Sequence, residues 1–72
     1  MRYETSSTWM GAARTSHTDA ETEREAAFKA SRGVYRNAVL MSVERGNGFS
    51  VYNFRGGSSS FCVHVKPLEV KP

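Results

Sequence analysis

The chain has one cysteine, Cys62, among 72 residues, so no internal disulfide can staple it and a disulfide-built secreted scaffold is excluded. A reducing compartment, the cytoplasm, is the expected setting. No apolar run approaches the roughly 20 residues of a membrane span. The opening MRYETSSTWMGAARTS lacks the apolar stretch of an export signal, so neither a membrane association nor a leader is expected. Like charges never run five in succession, and no repeat or low-complexity tract occurs, which sets aside charged tails and repeat arrays. Even the basic excess is small. Ten Lys and Arg against seven Asp and Glu give a formal charge of +3, less than a dedicated nucleic-acid binder carries.

What is present is a globular composition, 39% apolar and 24% charged, in a chain with room for one core. The clearest pattern lies in residues 35–66. Val39, Met41 and Val43 alternate with polar neighbours, as do Tyr52 and Phe54, then Phe61, Val63 and Val65. The intervening Arg45-Gly46-Asn47-Gly48 and Arg55-Gly56-Gly57-Ser58 have hairpin-turn chemistry. A meander of strands near 35–44, 49–54 and 59–66 puts all eight apolar side chains on one face, and a one-residue slip would split the set.

Upstream, Thr18-Asp19-Ala20-Glu21 matches a capping box. Acids crowd the residues after it, Lys29 and Arg32 lie near the far end, and Gly33 follows. Both charge placements suit the helix dipole, and glycine suits a C-terminal stop. The spacing predicts a helix over 19–32, anchored by Phe28 and otherwise lined by small residues. Tyr3, Thr5, Ser7 and Trp9 alternate and predict one strand within 2–13; residues 67–72 form a tail after Pro67. The expected fold is a single two-layer α+β domain, β-α-β-β-β, with one helix packed on an antiparallel sheet.

This layout has two consequences for the surface. Lys29, Arg32, Arg36 and Arg55 should converge at the end holding the 55–58 turn, with Asp19, Glu21, Glu44 and Arg45 at the opposite end. The basic end reads either as a dock for phosphates or carboxylates or as solvated ends of elements placed to suit the dipole. The reverse face of the sheet should carry Leu40, Phe49, Val51, Cys62, His64 and Lys66, with Phe49 beside His64 and Val51 beside Cys62. That mixture reads as a partner-binding or homodimer face, unless the segment holding Trp9 and Met10 folds back over it. Trp9 is either core or an interface anchor. A third reading stacks bases on Phe49 and His64 with Lys66 and Arg36 on phosphates. Glu44 on the same face and the lack of an RNA-recognition motif count against it.

No residue pattern names a reaction. Cys62 and His64 share a strand face, but their Cβ atoms would stand roughly 7 Å apart with no third group to orient them. His17, His64 and Cys62 lack metal-ligand spacing, and neither glycine turn opens a helix as a phosphate loop must. A non-enzyme without cofactor or metal is expected.

The run from the helix through AVLMSVERGNGFSVYNFRGGSSSFCV resembles the helix-plus-three-strand core of small phage-encoded anti-CRISPR proteins, over about residues 20–65. The resemblance is one of layout and hairpin rhythm, and carries no functional residue. It implies a phage or mobile-element inhibitor that sterically blocks a host nucleoprotein complex; the positive charge argues against DNA mimicry. The expected partner is therefore a host protein or nucleoprotein complex, bound through Trp9, Arg32, Arg36, Leu40, Phe49, Val51, Arg55, His64 and Lys66. The alternatives are direct binding of nucleic acid and a homodimerising structural or accessory protein.

Overall fold

A computed structural model describes residues 1–9 and 11–68. Residues Arg2–Trp9 form β1, Ala12–Asp19 β2, Glu23–Val34 helix α1, Val39–Arg45 β3, Ser50–Gly56 β4 and Ser59–Pro67 β5. The strands make one antiparallel sheet in the order β2-β1-β5-β4-β3, with α1 packed on one side. This is the two-layer α+β domain, one helix on an antiparallel sheet, that the sequence predicts. The expected tail starts later than residue 67: Pro67 pairs with Tyr3, and the Leu68 N–H donates to the Arg2 carbonyl at 2.9 Å. The rest of the tail, 69–72, lies outside the described residues, as does Met10.

The first difference is at the N-terminus, where the single strand expected over 2–13 is a hairpin. β1 and β2 pair from Arg2 with Asp19 to Trp9 with Ala12. Gly11 turns the chain at φ +83°, a left-handed conformation that favours glycine. β2 reads AARTSHTD and has no apolar alternation of its own, so β1 supplies its register.

With 12–19 extended, a helix cannot start at residue 19. Thr22 is the N-cap, its Oγ1 accepting from the Glu25 N–H at 3.1 Å. The Glu25 carboxylate accepts in return from the Glu21 N–H at 3.3 Å. The cap expected at Thr18 is thus made four positions on, at Thr22, with the Glu25 carboxylate returning to the N–H of Glu21, one residue before the cap, and not to that of the cap residue itself. The helix also outruns its expected stop: Gly33 lies inside it, and the Tyr35 N–H donates to the Ser31 carbonyl at 2.8 Å. The Tyr35 ring then lies against Gly56, where an added Cβ would fall 2.6 Å from Tyr35 Cγ.

Beneath the helix, Tyr3, Thr5 and Ser7 of β1, Tyr52 and Phe54 of β4, and Phe61, Val63 and Val65 of β5 are buried. Ala26 and Ala27 are fully buried opposite them, and such small side chains let the helix lie close. The aromatic rings interlock: Phe28 meets Phe54 edge-on at 5.4 Å, Phe54 stacks on Phe61 at 5.5 Å, and Trp9 meets Phe61 edge-on at 5.3 Å. The phase expected for β4 and β5 therefore holds, with His64 exposed between buried Val63 and Val65. Their register is displaced, because Gly56 pairs with Ser59 around a two-residue turn. Val51 accordingly faces His64 and Asn53 faces Cys62, where the sequence suggested Val51 beside Cys62.

β3 departs furthest from expectation. Leu40 opposes Phe54 and Ser42 opposes Asn53, so Met41 is an extra residue in a β-bulge. Val39 then falls opposite Arg55 on the reverse face, while Leu40 and Val43 take the helix side. Val39, Met41 and Val43, all expected in the core, are 59%, 59% and 37% exposed. Leu40, expected on the reverse face, packs against the edge of the core.

The cap assignment is directly testable by urea denaturation. Thr22→Ala should cost about 1 kcal/mol, and Thr18→Ala on the edge strand less than about 0.5 kcal/mol. A larger loss at Thr18 would move the cap back to that residue.

Candidate functional site

The helix lies over β2, β1 and β5 and meets β4 through the Phe28 ring and the Glu23 carboxylate. β3 is left as an edge strand with little above it. Its outer backbone N–H and C=O groups face solvent, as on any sheet edge, and it carries exposed Val39, Met41 and Val43 beside half-buried Leu40. The 46–49 loop adds Phe49, 41% exposed. The other edge, β2, presents Arg14, Thr15, Ser16, His17, Thr18 and Asp19. One edge is apolar and the other is polar.

A polar clamp ties the apolar edge to the helix. Tyr52 Oη donates to Glu23 Oε1 at 2.9 Å, and Arg45 Nη1 donates to the same oxygen at 3.1 Å and to Ser50 Oγ at 3.2 Å. Burial, and then the hydrogen bond and charge of Glu23, push the Tyr52 hydroxyl up to about 12. At the neighbouring corner Arg2 donates to Asp19 at 3.2 Å and holds that carboxyl below the ordinary carboxylate range.

On the reverse face Val39 stands where the sequence suggested Leu40, and Phe49 sits in the loop at its margin. The Phe49 ring lies edge-on to His64 at 6.1 Å, over a shallow hollow of about 330 Å³ that also meets Glu4, Ser6 and Lys66. Val51 is half-buried between Glu44 and His64. Asn53 Nδ2 donates to Ser42 Oγ at 3.1 Å and to Glu44 Oε2 at 3.0 Å. Trp9 does not cover this face. It is half-buried on the helix side, 6.1 Å from the Tyr35 ring.

Arg32, Arg36 and Arg55 gather at the end formed by the last turn of α1, the 35–38 loop and the 57–58 turn. Arg55 Nε donates to the Gly57 carbonyl at 3.3 Å. Lys29, expected with them, is held elsewhere: its Nζ donates to the Asp19 carbonyl at 2.8 Å and pairs with Glu25 at 3.5 Å. Arg14 takes its place, brought to this end by β2 and lining a groove with Trp9 and Gly33. Sequence reasoning missed Arg14 because β2 carries no strand signal. It missed the exposure of Val39, Met41 and Val43 because alternation cannot reveal a bulge.

Cys62 Sγ stands 3.4 Å from the Thr8 hydroxyl, and among the described residues no group of three His, Cys, Asp or Glu side chains converges to hold a metal. No described helix is long and apolar enough to cross a membrane. No protein-family model, curated protein or solved structure matches the chain.

The clamp makes a prediction about alkaline stability. The raised tyrosine keeps its proton in the folded chain from about pH 10 to about pH 12, while the unfolded chain releases it. The unfolded state binds fewer protons across that window, so stability falls as pH rises through it. Tyr52→Phe should lose about 2 kcal/mol at neutral pH and show a shallower alkaline decline. Equal alkaline slopes in the two proteins would exclude the coupling.

Proposed function

We propose that this protein is a small non-enzymatic protein-binding module that takes an extended segment of a partner protein along the open edge of β3. The observation that carries this reading is the contrast between the two sheet edges. β2 is polar from Arg14 to Asp19 and otherwise carries only Ala12 and Ala13, whereas β3 exposes the larger Val39, Met41 and Val43. A partner strand laid on β3 would satisfy the outer backbone groups and cover those side chains in one step. Glu44 and Arg45 at one end of the strand would set its direction and register. The bulge at Met41 increases local twist and hinders flat pairing of two identical edges, which favours a different partner over a second copy.

On this reading the chain acts by occupying a surface. The role suggested by its layout is a phage or mobile-element inhibitor that sterically blocks a host nucleoprotein complex. Its unpaired Cys62 suits a reducing cytoplasm.

Exposed edge positions tolerate substitution with stability changes within about 0.5 kcal/mol, so the test separates binding from folding. Met41→Lys with Val43→Lys should leave the melting temperature unchanged and weaken partner binding more than about tenfold, while Ser16→Lys on β2 has no effect. Hydrogen exchange of the complex should protect 39–45. Protection confined to 12–19 overturns the reading. Concentration-dependent dimerisation that these same β3 changes abolish assigns the edge to a second copy instead.

A further inference from the structure

We infer that the arginine end of the molecule is a binding site for single-stranded nucleic acid, adjoining the β3 edge and resting on other observations than the reading given to that edge. Charge is segregated along the long direction of the strands. Among the described residues the ion pairs are Arg2–Asp19, His17–Glu4, Lys29–Glu25 and Arg45–Glu23, and all of them leave the arginine end alone. Arg14, Arg32, Arg36 and Arg55 are exposed there and have no acidic partner among the described residues. Glu4, Asp19, Glu21, Glu23, Glu25 and Glu44 lie toward the other end, on the β3–β4 loop side of the domain. The modest net charge of +3 therefore hides a concentrated positive field.

The residue types at this end fit phosphodiester better than carboxylate. All four cations at this end are arginine, whose planar fork meets a phosphate with two hydrogen bonds. Two aromatic rings stand among them, Trp9 half-buried and Tyr35 37% exposed, 6.1 Å apart and tilted by 35°. Aromatic faces beside a basic track are how single strands are held without sequence preference, since every base has a face to stack. The end also has a recess. A groove of about 380 Å³ runs between β2 and the last turn of α1, lined by Ser7, Trp9, Ala12, Arg14, Gly33 and Val34.

Gly33 bears on this groove. It lies in the last turn of the helix, where glycine is a poorer helix former than alanine. It has no positive φ, and a Cβ there would meet nothing within 4 Å. No turn or close packing calls for glycine at this point. Its effect is an open groove floor. A duplex would offer the two rings only stacked, inaccessible bases, so the site fits a single strand.

The test titrates a fluorescently labelled mixed-sequence single-stranded DNA oligonucleotide into the intact protein and follows anisotropy. A duplex of the same sequence and polyglutamate serve as competitors, and the intrinsic emission of Trp9, the one tryptophan in the chain, is followed with unlabelled strand. Four phosphate contacts predict a log–log salt slope of about −3, and each of Arg14→Ala, Arg32→Ala, Arg36→Ala and Arg55→Ala should make it shallower by about 0.7. Arg24→Ala and Lys66→Ala, away from this end, should leave it unchanged. Gly33→Leu fills the groove in open space and improves helix propensity, so it should preserve the melting temperature, weaken binding at least threefold and reduce the change in Trp9 emission. Absence of binding at low salt overturns the inference, as does binding unaffected by the four arginine variants. Polyglutamate competing as well as the strand would assign the site to an acidic protein segment, and duplex binding as tight as the single strand would remove the rings from the account. Either result overturns the proposal, and neither touches the β3 reading.

Discussion

One short helix cannot cover a sheet five strands wide, and the surface of this protein follows from that shortfall. At 1.5 Å per residue, α1 with its twelve residues is about 18 Å long and about 10 Å across. Five strands at about 4.8 Å spacing span about 19 Å between the edge axes. The helix has to choose, and the aromatic contacts decide where it sits. Phe28 on Phe54, Phe54 on Phe61 and Phe61 against Trp9 draw it over β1 and β5, the two strands that close the N-terminal hairpin onto the meander. Beyond Phe54 the helix sends out the Glu23 carboxylate, and β3 is left uncovered.

That constraint explains why β3 can carry a bulge at all. In a strand pinned under the helix, an extra residue would turn half of the apolar set out of the core, at a cost of several kcal/mol for the buried side chains displaced. At an uncovered edge the same change exposes Val39 and Met41 at little expense, since Val43 on the correct side is itself 37% exposed. The Glu23–Tyr52–Arg45 clamp then does for β3 what packing does for the other strands. It fastens the end of the edge strand to the helix N-terminus, where a carboxylate is also favoured by the dipole.

The elements that could be read from the sequence are those whose partners are local. The phase of Tyr52, Phe54, Phe61, Val63 and Val65 was visible because each strand alternates and the turns between them carry glycine. The Glu25–Lys29 ion pair has the same local character, its partners standing four residues apart within the helix. What stayed hidden depends on partners far away in the chain. The polar β2 is a strand only because β1 lies beside it, and that pairing moves the N-cap from Thr18 to Thr22, both of which have glutamate three residues on. Gly33 looks like a helix stop until Tyr35 is seen to leave the helix against Gly56. The bulge at Met41 leaves no mark in the alternation. For the candidate surfaces, Arg32, Arg36 and Arg55 were placed at the correct end by topology alone, while Arg14 arrived with the unforeseen strand and Leu40 left with the bulge.

The two proposed surfaces are neighbours. Val39, the first residue of the open edge, pairs with Arg55, and Arg36 precedes it in the loop, so the apolar edge runs into the arginine end without a break. A partner that offers an extended protein segment next to a phosphodiester strand would engage both at once, with the second contact made at the high effective concentration set by the first. Two contacts that are weak singly would then suffice for tight binding to a nucleoprotein. The same contiguity limits any account that relies on charge alone, because a polyanion has no use for Met41 and Val43. An account that relies on the apolar edge alone likewise leaves the collection of arginines at one end without a partner.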